Sequence, residues 1–183
     1  YLPSIITAAS VSVLFKAMFS QYGPITQSLK NWGILGKNFD FMSSVAGSRG
    51  LISTILWWMW FGNTTLLLIS GVLGIDPGLF EAADIDGATT FQKIRYITIP
   101  AIRSVSTTVF LLLIIWTIKD YAIAYVLTKG GPSRATELLT IYIQQTGFKY
   151  FDFGKASAAG MLMLLVALAF TFFYFKVLNK EEE

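Results

Sequence analysis

The residues whose types and spacing suggest a specific chemistry lie at positions 76–100, which read DPGLFEAADIDGATTFQKIRYITIP. Asp76 is suited to cap a helix, and Pro77 to occupy its first turn. Gly87 is suited to the left-handed backbone conformation that ends a helix. The pattern therefore predicts a short helix that begins at Pro77 and stops at a glycine.

A second short helix is predicted after Gly87. Thr89 or Thr90 can cap it, and Pro100 is expected to break it. Small side chains around the glycine would allow another backbone to approach closely. These are Ala82, Ala83 and Ala88. Segment 76–100 is therefore predicted to be a docking surface for a soluble protein.

Catalytic chemistry has little support in the sequence. It contains neither cysteine nor histidine, which excludes disulfides, thiolate metal sites and nucleophiles or general bases of those two types. It contains no phosphate-binding loop, so the chain is not expected to hydrolyse ATP. The net charge is +3 without a basic cluster, which argues against binding to nucleic acid.

The elements that position these residues are predicted to be membrane spans. Hydrophobic residues make up 54% of the chain and charged residues only 14%, about half the usual share for a soluble domain. Stretches long enough to cross a bilayer as helices occupy residues 1–20, 51–75, 104–127 and 156–175. The predicted fold is an all-α polytopic membrane protein with four visible spans in a single domain over residues 1–183.

With four spans, segments 21–50 and 128–155 face one side of the membrane, and segment 76–103 and the C-terminal tail face the other. Taken alone, the positive-inside rule would place segments 21–50 and 128–155 in the cytoplasm, because basic residues are more numerous there. The orientation is therefore taken from the motif in segment 76–100 instead.

Polar and aromatic residues within the spans are candidates for a solute path. The charged residues Lys119 and Asp120 interrupt the third span, where charges are costly and often functional. A structural ion pair or snorkelling to the surface would explain them equally well. The uncharged candidates, for which packing is the alternative role, are Asn63, Trp116, Thr117, Tyr121 and Tyr125.

Segment 76–100 resembles the EAA loop of binding-protein-dependent ABC importer permeases. That pattern is EAA, three residues, Gly, nine residues and Ile-x-Leu-Pro, and Ile99 replaces its leucine here. Asp86-Gly87-Ala88 is the form typical of the sugar-importing branch. The positions that match are Glu81, Ala82, Ala83, Gly87, Ile97 and Pro100.

Other motifs resemble the same branch, which includes the maltose, multiple-sugar and glycerol-phosphate permeases. They are Leu2-Pro3-Ser4, Tyr22-Gly23-Pro24, Thr128-Lys129-Gly130-Gly131-Pro132 and Phe151 to Ala158. The branch usually has glycine where Lys129 stands, and often Phe-Asp where Tyr121-Ala122 stand. By this resemblance the chain corresponds to the last four of six spans, and we expect two further helices to precede it.

The resemblance implies a permease subunit in a bacterial plasma membrane that forms the path for a sugar or oligosaccharide. It implies a second permease subunit, two cytoplasmic ATPase subunits and an extracytoplasmic sugar-binding protein as partners. No cofactor is expected on this chain, since ATP and Mg would be bound by the ATPase. The predicted coupling residues on the cytoplasmic side are Glu81, Ala82, Ala83, Asp86, Gly87, Ala88, Ile97 and Pro100.

Two alternatives remain open at this point. The first is a permease for another small solute, such as glycerol phosphate or a polyamine. A phosphorylated solute would need a basic residue in the path, and Lys119 is the candidate for that residue. The other is a secondary transporter that needs no ATP, in which Asp120 would couple an ion.

Overall fold

The computed structural model describes residues 1–179, and all regular structure in that range is helical. Residues 180–183, the end of the tail used in the orientation argument, lie outside the described residues. The α-helices in chain order are α1 (Leu2–Ile5), α2 (Ala8–Phe19), α3 (Pro24–Asn31), α4 (Val45–Leu73), α5 (Pro77–Ile85), α6 (Thr90–Lys93), α7 (Ile99–Ala101), α8 (Arg103–Ile118), α9 (Ala122–Thr128), α10 (Leu139–Gln144) and α11 (Phe153–Asn179).

Two of these helices, α4 and α11, are long and apolar enough to cross a membrane unaided. α4 has 29 residues, which corresponds to roughly 43 Å. It begins six residues before the predicted stretch at 51–75, because the Ser44 side chain caps it by accepting from the N–H of Gly47. α11 covers the predicted stretch at 156–175 and starts three residues earlier.

The continuous third helix predicted over 104–127 is wrong. α8 ends at Ile118, the chain breaks at residues 119–121, and α9 continues as a separate helix. The Thr140 hydroxyl donates to the Asp120 carbonyl oxygen at 2.6 Å, which satisfies an acceptor that the break leaves free. α8 joins Thr90–Ala101 at a bend of 63°, and only this bent pair adds a third candidate span among the described residues.

The single helix predicted over residues 1–20 is also wrong. α1 and α2 are separated at Ile6 and Thr7, because the Thr7 side chain accepts a hydrogen bond from the N–H of Ser10 and caps α2. Hydropathy measures composition and does not detect such a cap. α2, with 12 residues, is too short to span a bilayer alone.

The core lies where α2, α4, α9 and α10 meet. Ile55 of α4, Ile123 of α9 and Ile141 of α10 are fully buried there, and Val11 of α2 is nearly so. The short helix α9 thus packs inside the protein, with α2 as its main neighbour.

Candidate functional site

The segment between α4 and α8 folds locally as its sequence predicts. The Asp76 carboxylate accepts from the Gly78 N–H at 2.9 Å and caps α5, which starts at Pro77. Gly87 has a φ of +73°, a conformation that is costly for other residues. The N–H of Ala88 donates to the carbonyl of Ala83 at 2.9 Å, which closes the end of the helix.

The second helical portion begins with a reciprocal cap. The Thr89 side chain accepts from the Gln92 N–H, and the Gln92 side chain accepts from the Thr89 N–H at 2.7 Å. Of the two candidate caps, the structure thus shows Thr89. A π-helical turn at Ile94–Thr98 joins α6 to α7.

The break predicted at Pro100 falls two residues later. Pro100 lies within α7, and the 63° bend occurs at Ile102, between α7 and α8. The preceding π-helical turn shifts the backbone hydrogen-bonding register, so that Ile99 donates to Ile94. This wider turn ends two residues before Pro100, which has no N–H to donate.

An ion pair that the sequence interpretation missed joins the two short helices. The Lys93 ammonium contacts the Asp84 carboxylate across the turn at Gly87. The order of acidic residues first and basic residues last was the signal available in the sequence. The pair, the glycine turn and the two caps hold the segment through its own contacts.

The surface of this segment is apolar and uncovered. Ile85 is 88% exposed and Phe91 is 72% exposed. Exposed apolar side chains on a segment outside the predicted spans are candidates for contact with a partner. A Cβ atom added at Gly87 would meet nothing within 4 Å, so no neighbour within the described structure requires glycine for space. Glu81 and Ala82 are also exposed, whereas Ala83 and Ile97 are half-buried.

One path candidate, Thr117, lines a cleft between α4 and α8. Its volume is about 420 Å³, and Thr64, Thr65 and Thr117 supply hydroxyl groups to a wall that is otherwise apolar. Trp60 lines the same cleft and stacks on Trp116, with ring centroids 4.7 Å apart. The structure shows Trp60 as the packing partner of the candidate Trp116. Asn63 is half-buried on α4 and does not line this cleft.

The other path candidates lie at the break between α8 and α9. Lys119 is exposed, while Asp120 is half-buried and faces the backbone N–H groups of Ile123 and Ala124. The Asp120 Oδ2 atom has no hydrogen-bond donor among the described residues. Tyr121 and Tyr125 stack on each other at 4.8 Å. The structure therefore separates this group from the cleft that contains Thr117.

Side chains of α2 and α4 form hydrogen bonds with α9 and with the segment that follows it. The Lys16 ammonium of α2 donates to the Val126 carbonyl at 2.8 Å, near the C-terminus of α9. The Arg49 guanidinium of α4 donates to the Ala135 carbonyl at 2.9 Å. Both contacts join residues that are far apart in the sequence.

Two clefts adjoin at segment 128–155 and share Gln145. One, of about 470 Å³, is lined by two ion pairs, Arg134–Glu137 and Lys155–Asp152. The Lys155 ammonium donates to Asp152 and holds the pKa of that carboxyl below its usual range. The other cleft, of about 600 Å³, contains lysines but no acidic residue in its lining.

These features define a helical membrane protein with an exposed helix–glycine–helix segment between α4 and α8. Residues 1–181 match the family described as "Binding-protein-dependent transport system inner membrane component". The chain belongs to this family. The recognition of a binding-protein-dependent permease from residues 81–100 is thereby confirmed.

Curated relatives include sugar permeases. The chain is 27% identical over 179 residues to the lactose transport system permease protein LacF of Rhizobium radiobacter, covering 95% of this chain and 60% of LacF. It is 32% identical over 182 residues to the probable ABC transporter permease protein YesP of Bacillus subtilis, covering 96% of this chain and 57% of YesP. The chain thus spans less than two thirds of these relatives.

The fold is that of a solved ABC transporter. A structure described as a bacterial alginate ABC transporter in complex with alginate pentasaccharide-bound periplasmic protein contains a chain with a TM-score of 0.84 to this one. The identity is 24%, over 95% of this chain and 60% of that chain. This similarity confirms the all-α polytopic fold.

Proposed function

We propose that this chain forms the translocation path of an ATP-driven sugar importer and is coupled to a separate ATPase through residues 76–101. The observation that carries the proposal is the exposed apolar surface of a segment that its own caps and ion pair hold in shape. A surface of this kind in a membrane permease fits the docking of a soluble subunit. The matched relatives, among them lactose and arabinooligosaccharide permeases, support a sugar as the solute.

The proposed assembly follows from this role. Two permease subunits line one path, two ATPase subunits bind ATP and Mg on the cytoplasmic side, and a sugar-binding protein delivers the solute on the other side. The chain performs no catalysis of its own, and its proposed location is a bacterial plasma membrane. Closure of the ATPase pair tilts the helices through contacts with the coupling segment, which is a coupling free energy between two states.

The direct test is uptake of a panel of labelled sugars by the complete complex in proteoliposomes, with and without ATP. We expect uptake of at least one sugar that depends on ATP and on the binding protein. Uptake without ATP would favour a secondary transporter instead. Uptake of glycerol phosphate but of no sugar would restrict the proposal to the importer class.

A second test concerns orientation. The sequence contains no cysteine, so single cysteines introduced into it report without background from this region. Thr90 is exposed and serves as the position on the cytoplasmic side. On the opposite side, in segment 128–155, Ser133 is exposed and is preferred to Thr136, which is only 6% exposed and poorly accessible to reagents. We expect Ser133→Cys to react with an impermeant maleimide on intact cells and Thr90→Cys to react only after lysis. The reverse pattern would contradict the orientation and the coupling role together.

A further inference from the structure

The larger of the two clefts at segment 128–155 has features that no role described above uses. We propose that it binds a saccharide that carries acid groups, with Lys129 and Lys149 contacting the carboxylates. This inference rests on the proposed function, because it specifies the class of sugar that the path accepts. The cleft has a volume of about 600 Å³, within the usual range for small-molecule sites.

The charge of this cleft is the first argument. Lys129 and Lys149 line it, no acidic residue does, and neither lysine forms an ion pair within residues 1–179. In the adjoining cleft, both basic residues are neutralised by a carboxylate. Two adjacent surfaces of the same segment thus differ in net charge, and only one of them attracts an anion.

The backbone of Lys129 is the second argument. This residue ends α9 with a φ of +53°, and its N–H donates to the Tyr125 carbonyl at 2.9 Å. Glycine suits a position of this kind best, whereas a lysine is strained there. A strained residue held in place by its surroundings is often found at a functional site. Here the residue in this conformation is one of the two lysines that line the cleft.

The remaining lining distinguishes a saccharide from a simple anion. Tyr125 and Phe148 contribute aromatic rings to the lining, and Gln144 and Gln145 contribute amides. The Gln144 Oε1 atom has no donor among the described residues, so turning this amide toward the cleft breaks no hydrogen bond at that oxygen. A sugar hydroxyl is a donor that fits it. An acidic saccharide carries carboxylates for the lysines, hydroxyl groups for the amides and a sugar ring that can pack against the aromatic side chains.

The test is equilibrium binding of labelled trigalacturonate to the complete complex in nanodiscs of neutral lipid. We expect saturable binding that weakens with salt, and weaker binding of maltotriose. Lys129→Asn tolerates the left-handed backbone, so it removes the charge without adding strain. Lys129→Asn and Lys149→Gln should each lower the affinity by about fivefold, the factor for a charge contact of about 1 kcal/mol.

The matched control is Lys37→Gln, which removes an exposed charge from segment 21–50 and should leave the affinity unchanged. Equal affinity of the lysine variants and the unmodified complex would overturn the inference, as would equal binding of maltotriose. Stronger competition by glycerol phosphate than by galacturonate would assign the lysines to a phosphate. Loss of binding when phosphatidylglycerol is added would assign them to a lipid headgroup. Each of these results contradicts the binding of an acidic saccharide in this cleft. The uptake panel tests the importer function separately.

Discussion

Segment 76–101 and segment 128–152 each connect two helices, but they are held in different ways. The first is stabilised by its own caps, its glycine turn and the Lys93–Asp84 pair. The second receives a hydrogen bond from Arg49 of α4, and the helix that leads into it receives one from Lys16 of α2. A segment that needs no other helix for its shape remains available to a partner, whereas a segment tied to the spans moves with them.

The burial of side chains follows the same division. No residue of α5, α6 or α7 is buried, and exposed apolar side chains are frequent there. By contrast, Ile123, Ala124 and Leu127 of α9 are buried in the core, and Ile141 of α10 is fully buried. Substitutions in the first segment should therefore affect coupling with little loss of stability. Substitutions at the anchors of the second should lower the stability of the permease itself.

The largest expected effect is that of Gly87→Val on transport. Valine at a φ of +73° is strained by about 1–3 kcal/mol, and the turn that sets the angle between α5 and α6 would shift. Its side chain would also keep the ATPase away from Ala83 and Ala88. We expect uptake to be abolished and the ATPase to co-purify poorly, while the permease inserts and pairs with the second permease subunit.

Gly87→Asn separates the two causes, since asparagine tolerates the left-handed backbone but still adds a side chain. If Gly87→Asn restores ATPase binding, strain in the turn is the cause of the loss. If it does not, the cause is the added side chain, which prevents close approach of the ATPase.

Glu81→Ala should have a smaller effect, because an exposed charge contact contributes only about 0–1 kcal/mol. Wild-type uptake and ATPase binding by Gly87→Val would show that residues 76–101 are not the coupling element.

A smaller effect is expected from Lys16→Met, which tests the anchoring of α9. The variant keeps the length of the side chain but removes the hydrogen bond to the Val126 carbonyl, a charged contact that contributes about 1.5–3 kcal/mol. The detergent-solubilised permease should unfold at a lower temperature. Lys30→Met is the control, because Lys30 donates to the Gln21 carbonyl from an exposed position. Equal unfolding temperatures for both variants would show that the Lys16 hydrogen bond to Val126 stabilises the permease no more than the exposed Lys30 hydrogen bond does.

The parts of the fold that could be predicted are those specified by neighbouring residues. Asp76, Gly87 and Thr89 act on backbone groups within a few residues, so their positions in the sequence were sufficient. The long apolar stretches also predicted α4 and α11, because their length alone is informative.

The breaks at Thr7 and at Asp120 were not predicted, and the reason differs between them. The first depends on a local cap that hydropathy does not detect. The second depends on Thr140, twenty residues away, whose hydroxyl satisfies the Asp120 carbonyl. The clefts of the candidate site depend on contacts between distant residues in the same way, so single candidates such as Thr117 were found, but the stacking of Trp60 on Trp116 was not.

The smallest expected effect is that of Asp120→Asn, which tests whether the break at the start of α9 is structural. The Asp120 carboxylate faces the N–H groups of Ile123 and Ala124 at the positive end of this helix. Asparagine keeps an oxygen that can accept from them and loses the charge, so the variant should cost about 0.3–1 kcal/mol. Asp120→Ala removes both and should cost about 0.5–2 kcal/mol.

In a structural role, both variants of Asp120 lower the unfolding temperature in that order, and uptake per assembled complex stays near wild type. In a path or gating role, Asp120→Asn changes uptake while the unfolding temperature is kept. Asp152→Asn is the control, since it removes a carboxylate from an ion pair at the protein surface. Because α9 packs in the core and Asp120 faces its first turn, we expect the structural outcome. A change in uptake without a loss of stability would instead place Asp120 in the path and weaken the contrast between the two segments.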